Sequence, residues 1–129
     1  MEKINTKIPI EIIEIPDEKA PERMHLAEEE MVKEKEGIGI LKQIGSKAYV
    51  ITLEIQGARM STEQFQKKMY QFIEEGKEEI CFVIGGSLGL SETVRKRSNF
   101  ALSFSEMTFP HQLMRVILME QLNHIFFRD

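Results

Sequence analysis

The sequence predicts an α/β domain in which a mainly parallel sheet is flanked by helices. Three observations predict it. Strand-length apolar runs alternate along the chain with segments of helical period, as they do where helices cross back over a parallel sheet. One of these runs, Glu79-Ile80-Cys81-Phe82-Val83-Ile84, is apolar almost without a break, the pattern of a strand covered on both faces. A chain of 129 residues with 42% hydrophobic content has material for one core, so a single domain over residues 1–129 is expected.

The elements follow in order. Ile8 to Ile15 is rich in β-branched residues and ends at the turn signal Pro16-Asp17, so it reads as a strand; Pro9 suits an edge or a strand entry. From Pro21 to Ile44 the charge density rises, and Met31, Val32, Ile38, Leu41 and Ile44 supply an apolar side to a long acidic helix stopped by Gly45. Gly37 and Gly39 inside it each cost about 1 kcal/mol against Ala, which predicts a break or a close packing there. Tyr49 to Ile55 is the next strand, followed by a loop at Gln56-Gly57-Ala58-Arg59. Ser61 stands three residues before Gln64, the spacing of a reciprocal cap, so a helix starts near Thr62; Phe65, Met69, Phe72 and Ile73 form its apolar stripe and Gly76 ends it. After the strand Glu79–Ile84 come a short helix from Glu92 to Arg97, a strand from Phe100 to Phe104, and a last helix whose start is set by Pro110.

Composition narrows the function classes. A net charge of −4 argues against a broad basic face for nucleic acid. The charge is uneven: Glu11 to Glu36 is strongly acidic, whereas the stretch after Gly85 is slightly basic. An RNA would therefore approach the second half, where Arg95-Lys96-Arg97 and Arg115 lie, although such a cluster is more often a solvated helix end. The single Cys81, between Ile80 and Phe82, reads as a buried strand residue rather than a nucleophile or metal ligand. The apolar runs are too short to cross a membrane and the first residues lack a secretory signal, so a cytoplasmic protein is expected.

Three segments follow three strands: Glu54-Ile55-Gln56-Gly57, Gly85-Gly86-Ser87-Leu88-Gly89, and Ser105-Glu106-Met107-Thr108-Phe109. In a parallel sheet all three open on the carboxyl edge, where ligands of α/β folds gather. Adjacent glycines let backbone groups approach a ligand with no Cβ in the way. The pair Gly85-Gly86 alone is equally compatible with a tight turn, and it matches none of the phosphate-cradling glycine patterns.

Taken together, Leu53-Glu54 with Gly57, Phe82-Val83-Ile84-Gly85-Gly86 with Gly89-Leu90, and the run from Leu102 through Pro110-His111 to Arg115 with Glu120-Gln121-Leu122 make a resemblance. In their order and approximate spacing they are similar to the SPOUT methyltransferases, and within that class to the large-subunit ribosomal RNA methyltransferase H family. The likeness extends upstream through Ile15 to Lys19 and Lys35-Glu36-Gly37, so it covers roughly Ile8 to Leu122.

The resemblance implies a trefoil-knotted fold working as a homodimer, which moves a methyl group from S-adenosylmethionine to N3 of a pseudouridine in 23S ribosomal RNA. It places the cofactor on Leu53, Gly85 and the run Phe104, Ser105, Glu106, Met107, Thr108 and Phe109. No metal is implied. For the proton on the accepting nitrogen His111 is a candidate, but its place beside Pro110 also fits a structural role. Glu106 fits either a partner for the cofactor's positive charge or a carboxylate favoured at a helix N-terminus. His25 and His124 have no recognisable partners in the sequence.

The family carries a further strand and helix ahead of the segment matching Ile8, where this chain has seven residues, and a tail with Arg, Gly, Tyr and His beyond its last helix, where this chain has Ile125 to Asp129. The resemblance therefore predicts a sheet short of one strand, with an unpaired edge. Two functions stay open on the sequence: an active ribosomal RNA methyltransferase, and a shortened relative that keeps a dimer surface and a cofactor pocket without catalysis.

Overall fold

The computed structural model describes residues 2–4, 10–14, 26–85, 90–105 and 111–127. Its elements run β1 (Glu2–Ile4), β2 (Ile10–Glu14), α1 (Leu26–Gln43), β3 (Ala48–Arg59), α2 (Thr62–Glu74), β4 (Glu79–Ile84), α3 (Glu92–Arg97), β5 (Phe100–Ser103) and α4 (His111–Phe127). The strands pair in the order β1-β2-β4-β3-β5, with every pairing parallel except the antiparallel β1–β2.

The path between strands decides which face each helix covers. From β2 the chain passes over β4 to β3, then steps back to β4, then passes over β3 to β5. Crossovers keep one hand, so each reversal of direction moves the connecting helix to the other face. The two cores record this. On one face Ile10, Ile12, Ile51, Phe82 and Leu102 pack against Phe65, Met69 and Phe72 of α2 and Leu118, Leu122 and Ile125 of α4. On the other, Ile13, Val50, Cys81 and Val83 pack against Ile40 of α1 and Val94 of α3. β4 alternates between the two, which explains its unbroken apolar sequence: Ile80, Phe82 and Ile84 serve the first core, Cys81 and Val83 the second.

Local chemistry fixes the ends of α2 as the sequence predicts. Ser61 Oγ accepts the Gln64 N–H at 3.1 Å while Gln64 Oε1 accepts the Ser61 N–H at 2.8 Å, the reciprocal cap. At the other end Gly76 takes φ +77°, and the N–H groups of Gly76 and Lys77 donate to the carbonyls of Ile73 and Phe72. That closure needs a left-handed residue, which is why a glycine stands there.

Three expectations are corrected. The segment Gln56–Arg59 is not a loop: β3 bulges after Leu53 and returns, so that both Leu53 and Ala58 pair with Leu102 and Arg59 pairs with Ser103. Gly57 sits where a Cβ would meet backbone atoms of Ala101 and Leu102 at 2.7 to 2.9 Å, so its bare backbone serves strand packing. The outer edge of β2 is not left open, because Glu2–Ile4 pairs with Ile12–Ile10. An edge position for β2 is overturned by the same pairing; Pro9 itself lies outside the described residues. Of the two helix glycines, Gly37 marks a close packing, since a Cβ there would collide with Ser91 Oγ and crowd Val94, and α1 runs on unbroken.

Candidate functional site

The parallel register brings Leu53, where β3 bulges, level with the ends of β4 and β5. Leu53 lies opposite Ile84 on one side and Leu102 on the other. Gly85 is the next residue after Ile84, and Phe104 and Ser105 follow Leu102 by two and three, so Leu53, Gly85, Phe104 and Ser105 meet at one carboxyl edge. Leu53 is buried in the core and Phe104 packs partly buried against it; Gly85 and Ser105 are half-buried. Just past β5 the Ser103 hydroxyl, itself buried, donates to the Ser105 carbonyl at 2.9 Å and bends the chain. Glu106, Met107, Thr108 and Phe109 lie outside the described residues, as do Gly86 to Gly89 and Pro110. His111 opens α4, but its side chain also lies outside them; His124 is exposed in the last turn of that helix.

The described residues on either side of the glycine segment are buried: Ile84 at the end of β4, and Leu90 and Ser91 beyond it. Ser91 caps α3 by accepting the Val94 N–H at 3.3 Å. Arg95 then ties α3 to the edge through a 3.1 Å contact from its Nε to Glu54 Oε1. The other oxygen of that carboxylate accepts the Thr52 hydroxyl at 2.7 Å, and Thr52 Oγ1 also lies 2.8 Å from Ser98 Oγ. Further along the same edge Glu14, the register partner of Ile84, pairs with Arg115 of α4 at 3.3 Å.

These contacts recast the basic cluster. Arg97 spends its guanidinium on the carbonyls of Gly45 (3.2 Å) and Ala48 (2.9 Å) and on Asn99 Oδ1 (3.2 Å). Asn99 in turn accepts the Val50 N–H and donates its own N–H to the Val50 carbonyl, both at 2.8 Å, extending the β3–β5 ladder. Arg97 is thus a clamp on the start of β3, and Arg95 and Arg115 are paired with carboxylates. Lys96, whose contact among the described residues is a 3.6 Å one to Glu92 one turn away on an exposed surface, keeps the solvated character expected of a helix end.

A cavity of about 150 Å³ opens beside Phe104, on the face of the sheet that carries α2 and α4. Phe65, Leu102, Phe104 and Ile117 give it apolar walls, and Ser61, Thr62 and Gln121 give it polar ones. The capping pattern locates the start of α2, yet nothing in the sequence brings that turn to Gln121 of α4; the cavity exists only where α2, β5 and α4 converge.

Cys81 is fully buried, and burial first, then the charges of Glu11 and Glu79, push its thiol up to about 12 against a smaller opposing effect of Arg97. It is a core residue held neutral. Among the described residues no group of three His, Cys, Asp or Glu is placed to hold a metal ion, and no helix is long and apolar enough to cross a membrane.

Over residues 1–126 the chain matches the family described as "Predicted SPOUT methyltransferase". It is 51% identical over 126 residues to the ribosomal RNA large subunit methyltransferase H of Bacillus cytotoxicus, an alignment spanning 98% of this chain and 79% of that protein. The proteins of the same name from Bacillus thuringiensis and Bacillus cereus are each 50% identical over 126 residues, with the same shares covered.

Proposed function

The chain belongs to the SPOUT methyltransferase family, and from that premise we propose that it transfers a methyl group from S-adenosylmethionine to N3 of a pseudouridine in 23S ribosomal RNA. The reading includes a single domain over residues 1–129, a knotted chain path, and a homodimer acting on the ribosome in the cytoplasm. The observation that carries it is the register that sets Leu53, at the bulge of β3, level with the last residue of β4 and with Leu102 near the end of β5, so that Leu53, Gly85, Phe104 and Ser105 lie on one edge. Its relatives, named as ribosomal RNA large subunit methyltransferases, supply the substrate class.

The residues present suit the cofactor. Leu53 and Phe104 offer apolar surface for an adenine, Gly85 offers backbone without a Cβ, and the segment Ser105, Glu106, Met107, Thr108 and Phe109 offers amides to surround a bent ligand. S-adenosylmethionine, when bound, supplies a methyl already activated by a positive sulfur. The protein's task is then placement: the accepting nitrogen must lie in line with the methyl, near contact distance, and free of its proton. The Glu54–Arg95 pair and the buried Leu90 and Ser91 serve placement by fixing the start of α3 relative to β3.

Transfer of labelled methyl to ribosomes lacking the modification tests the reading, with calorimetry of S-adenosylmethionine run in parallel. Label recovered at a pseudouridine N3 is the expected result. Binding without transfer would leave the non-catalytic, cofactor-binding relative; neither binding nor transfer would remove the site assignment as well.

A further inference from the structure

None of the residues assigned to the cofactor lies on α1, yet α1 sets a steric limit on α3. A Cβ at Gly37 would collide with the Ser91 hydroxyl oxygen and stand 3.1 Å from Val94 Cγ2 and 3.4 Å from Ser91 Cβ. Ser91 and Val94 are both buried, so neither side chain has solvent to retreat into. The hydroxyl is also committed. It accepts the Val94 N–H at 3.3 Å as the cap of α3, and turning it away from α1 would take from that N–H the acceptor it lacks within the helix. Along the same seam Thr93 Oγ1 donates to Glu34 Oε2 at 2.8 Å, and Ile40, one turn on from Gly37, shares a core cluster with Leu90 and Val94. Gly37 therefore sets how closely α3 approaches α1 while its cap is made. From there α3 is tied to the carboxyl edge. Arg95 meets Glu54, the neighbour of Leu53, at 3.1 Å, and Ser98, which ends the helix, lies with its Oγ 2.8 Å from Thr52 Oγ1 on β3. Leu90 and Ser91 follow Gly85 by five and six residues, so the point at which the chain from Gly85 must arrive is the point that Gly37 sets.

We propose that Gly37 is a positioning residue for the methyl donor. By admitting the capping hydroxyl of Ser91 against α1, it seats α3 so that Leu53 and Glu54 on β3 and the chain leaving Gly85 stand at the spacing the cofactor requires. Gly37 touches no cofactor and acts through Ser91. In Gly37→Ala the start of α3 either moves off α1 or gives up its cap, and binding must restore the seat. Affinity then falls by the fraction of molecules that hold it. This inference rests on the S-adenosylmethionine reading of the carboxyl edge, whereas the packing of Gly37 against Ser91 stands apart from it.

The test is a double-variant cycle on the full chain, with S-adenosylmethionine affinity read by calorimetry and stability by urea midpoint. The variants are Gly37→Ala, Ser91→Ala and the two combined, with Gly76→Ala as a protein destabilised at the far end of α2. Gly37→Ala should weaken S-adenosylmethionine binding by about tenfold or more, and Ser91→Ala, which loses the cap alone, by about threefold. Removing the hydroxyl also removes the collision, leaving contacts of 3.1 and 3.4 Å that a shift of a few tenths of an ångström relieves. The combined variant should therefore bind as Ser91→Ala does, and its urea midpoint should lie above that of Gly37→Ala. Gly76→Ala should lose stability and keep its affinity. Affinity in Gly37→Ala within about twofold of the parent overturns the proposal. So does a combined variant showing the product of the two losses, because the constraint would then not run through the Ser91 hydroxyl. An equal loss of affinity in Gly76→Ala overturns it as well, since binding would merely follow global stability. If Gly37→Ala does not fold, Ser91→Ala carries the test: a threefold loss, roughly, supports the seat, and unchanged affinity overturns it. A parent protein that binds no S-adenosylmethionine removes the cofactor reading and this inference with it, whereas a Gly37→Ala protein that binds as the parent does removes the inference alone.

Discussion

Replacing Gly57 by Ala is the sharpest perturbation available to the carboxyl edge. The new Cβ would stand 2.7 Å from the Ala101 carbonyl carbon, 2.8 Å from its oxygen and 2.9 Å from the Leu102 carbonyl carbon. All three are backbone atoms of β5, so no rotamer change relieves them. Ordinary contact begins near 3.4 Å, so β3 and β5 must part locally by about 0.7 Å. Overpacking of this kind costs about 1–3 kcal/mol. Loss of the glycine's freedom in the unfolded chain offsets about 0.4–1 kcal/mol of that, leaving a net destabilisation of roughly 0–2.6 kcal/mol, about 1.3 at the midpoint. Gly39→Ala is the matched control. It lies in exposed helix with nothing within 4 Å of the new Cβ, and it should stabilise by about 0.5–1 kcal/mol. The assay is equilibrium urea unfolding at fixed protein concentration, followed by far-ultraviolet circular dichroism because the chain has no Trp. A Gly57→Ala protein at least as stable as the parent, with an unchanged slope, would refute the close-approach argument. The same displacement moves Leu102 and the residues after it, so S-adenosylmethionine affinity should fall with stability in Gly57→Ala and stay constant in Gly39→Ala.

Gly85→Leu should weaken S-adenosylmethionine binding by about tenfold or more, whereas Gly76→Ala should lose about 1–2 kcal/mol of stability through its left-handed φ and keep its affinity; equal effects on calorimetric affinity would remove Gly85 from the site. Stability should fall as pH rises above about 9, because the unfolded chain releases the Cys81 proton near the ordinary 9.0 while the folded chain holds it to about 12. The folded form then binds more protons, and the slope attributable to this thiol approaches 1.4 kcal/mol per pH unit, roughly. Urea midpoints of parent and Cys81→Val proteins between roughly pH 8.5 and 10.5, across the lower part of that window, should diverge; parallel curves would show that the thiol is not held neutral. Arg97→Lys should cost about 1–2 kcal/mol, since one ammonium cannot reproduce the planar fork that meets Gly45, Ala48 and Asn99; a melt unchanged from the parent would count against the clamp.

Much of this architecture was legible in the chain because its signals are local. The cap at Ser61 and Gln64, the stop at Gly76 and the unbroken run of β4 each report a neighbourhood of a few residues, and each stands where the sequence places it. The bulge after Leu53 was not legible, because Gln56-Gly57-Ala58-Arg59 has loop composition and becomes strand only by pairing with β5. The basic triplet misleads for a related reason: three adjacent cations look alike in sequence, and their separate fates depend on Glu54, Glu92 and the Gly45 and Ala48 carbonyls.

The sequence by itself determined the α/β class, the order of the elements from β2 onward, the family, and the three strand-end segments where a ligand was expected. Tertiary structure decided how those segments meet. Hydrogen-bond register, which no single strand encodes, sets Leu53 between Ile84 and Leu102 and so levels the edge. Packing of α2 and α4 over β5 decides that Thr62 and Gln121 face one cavity, although almost half the chain lies between them. Both are properties of surfaces brought together from distant parts of the chain, and they exist only once the sheet has formed.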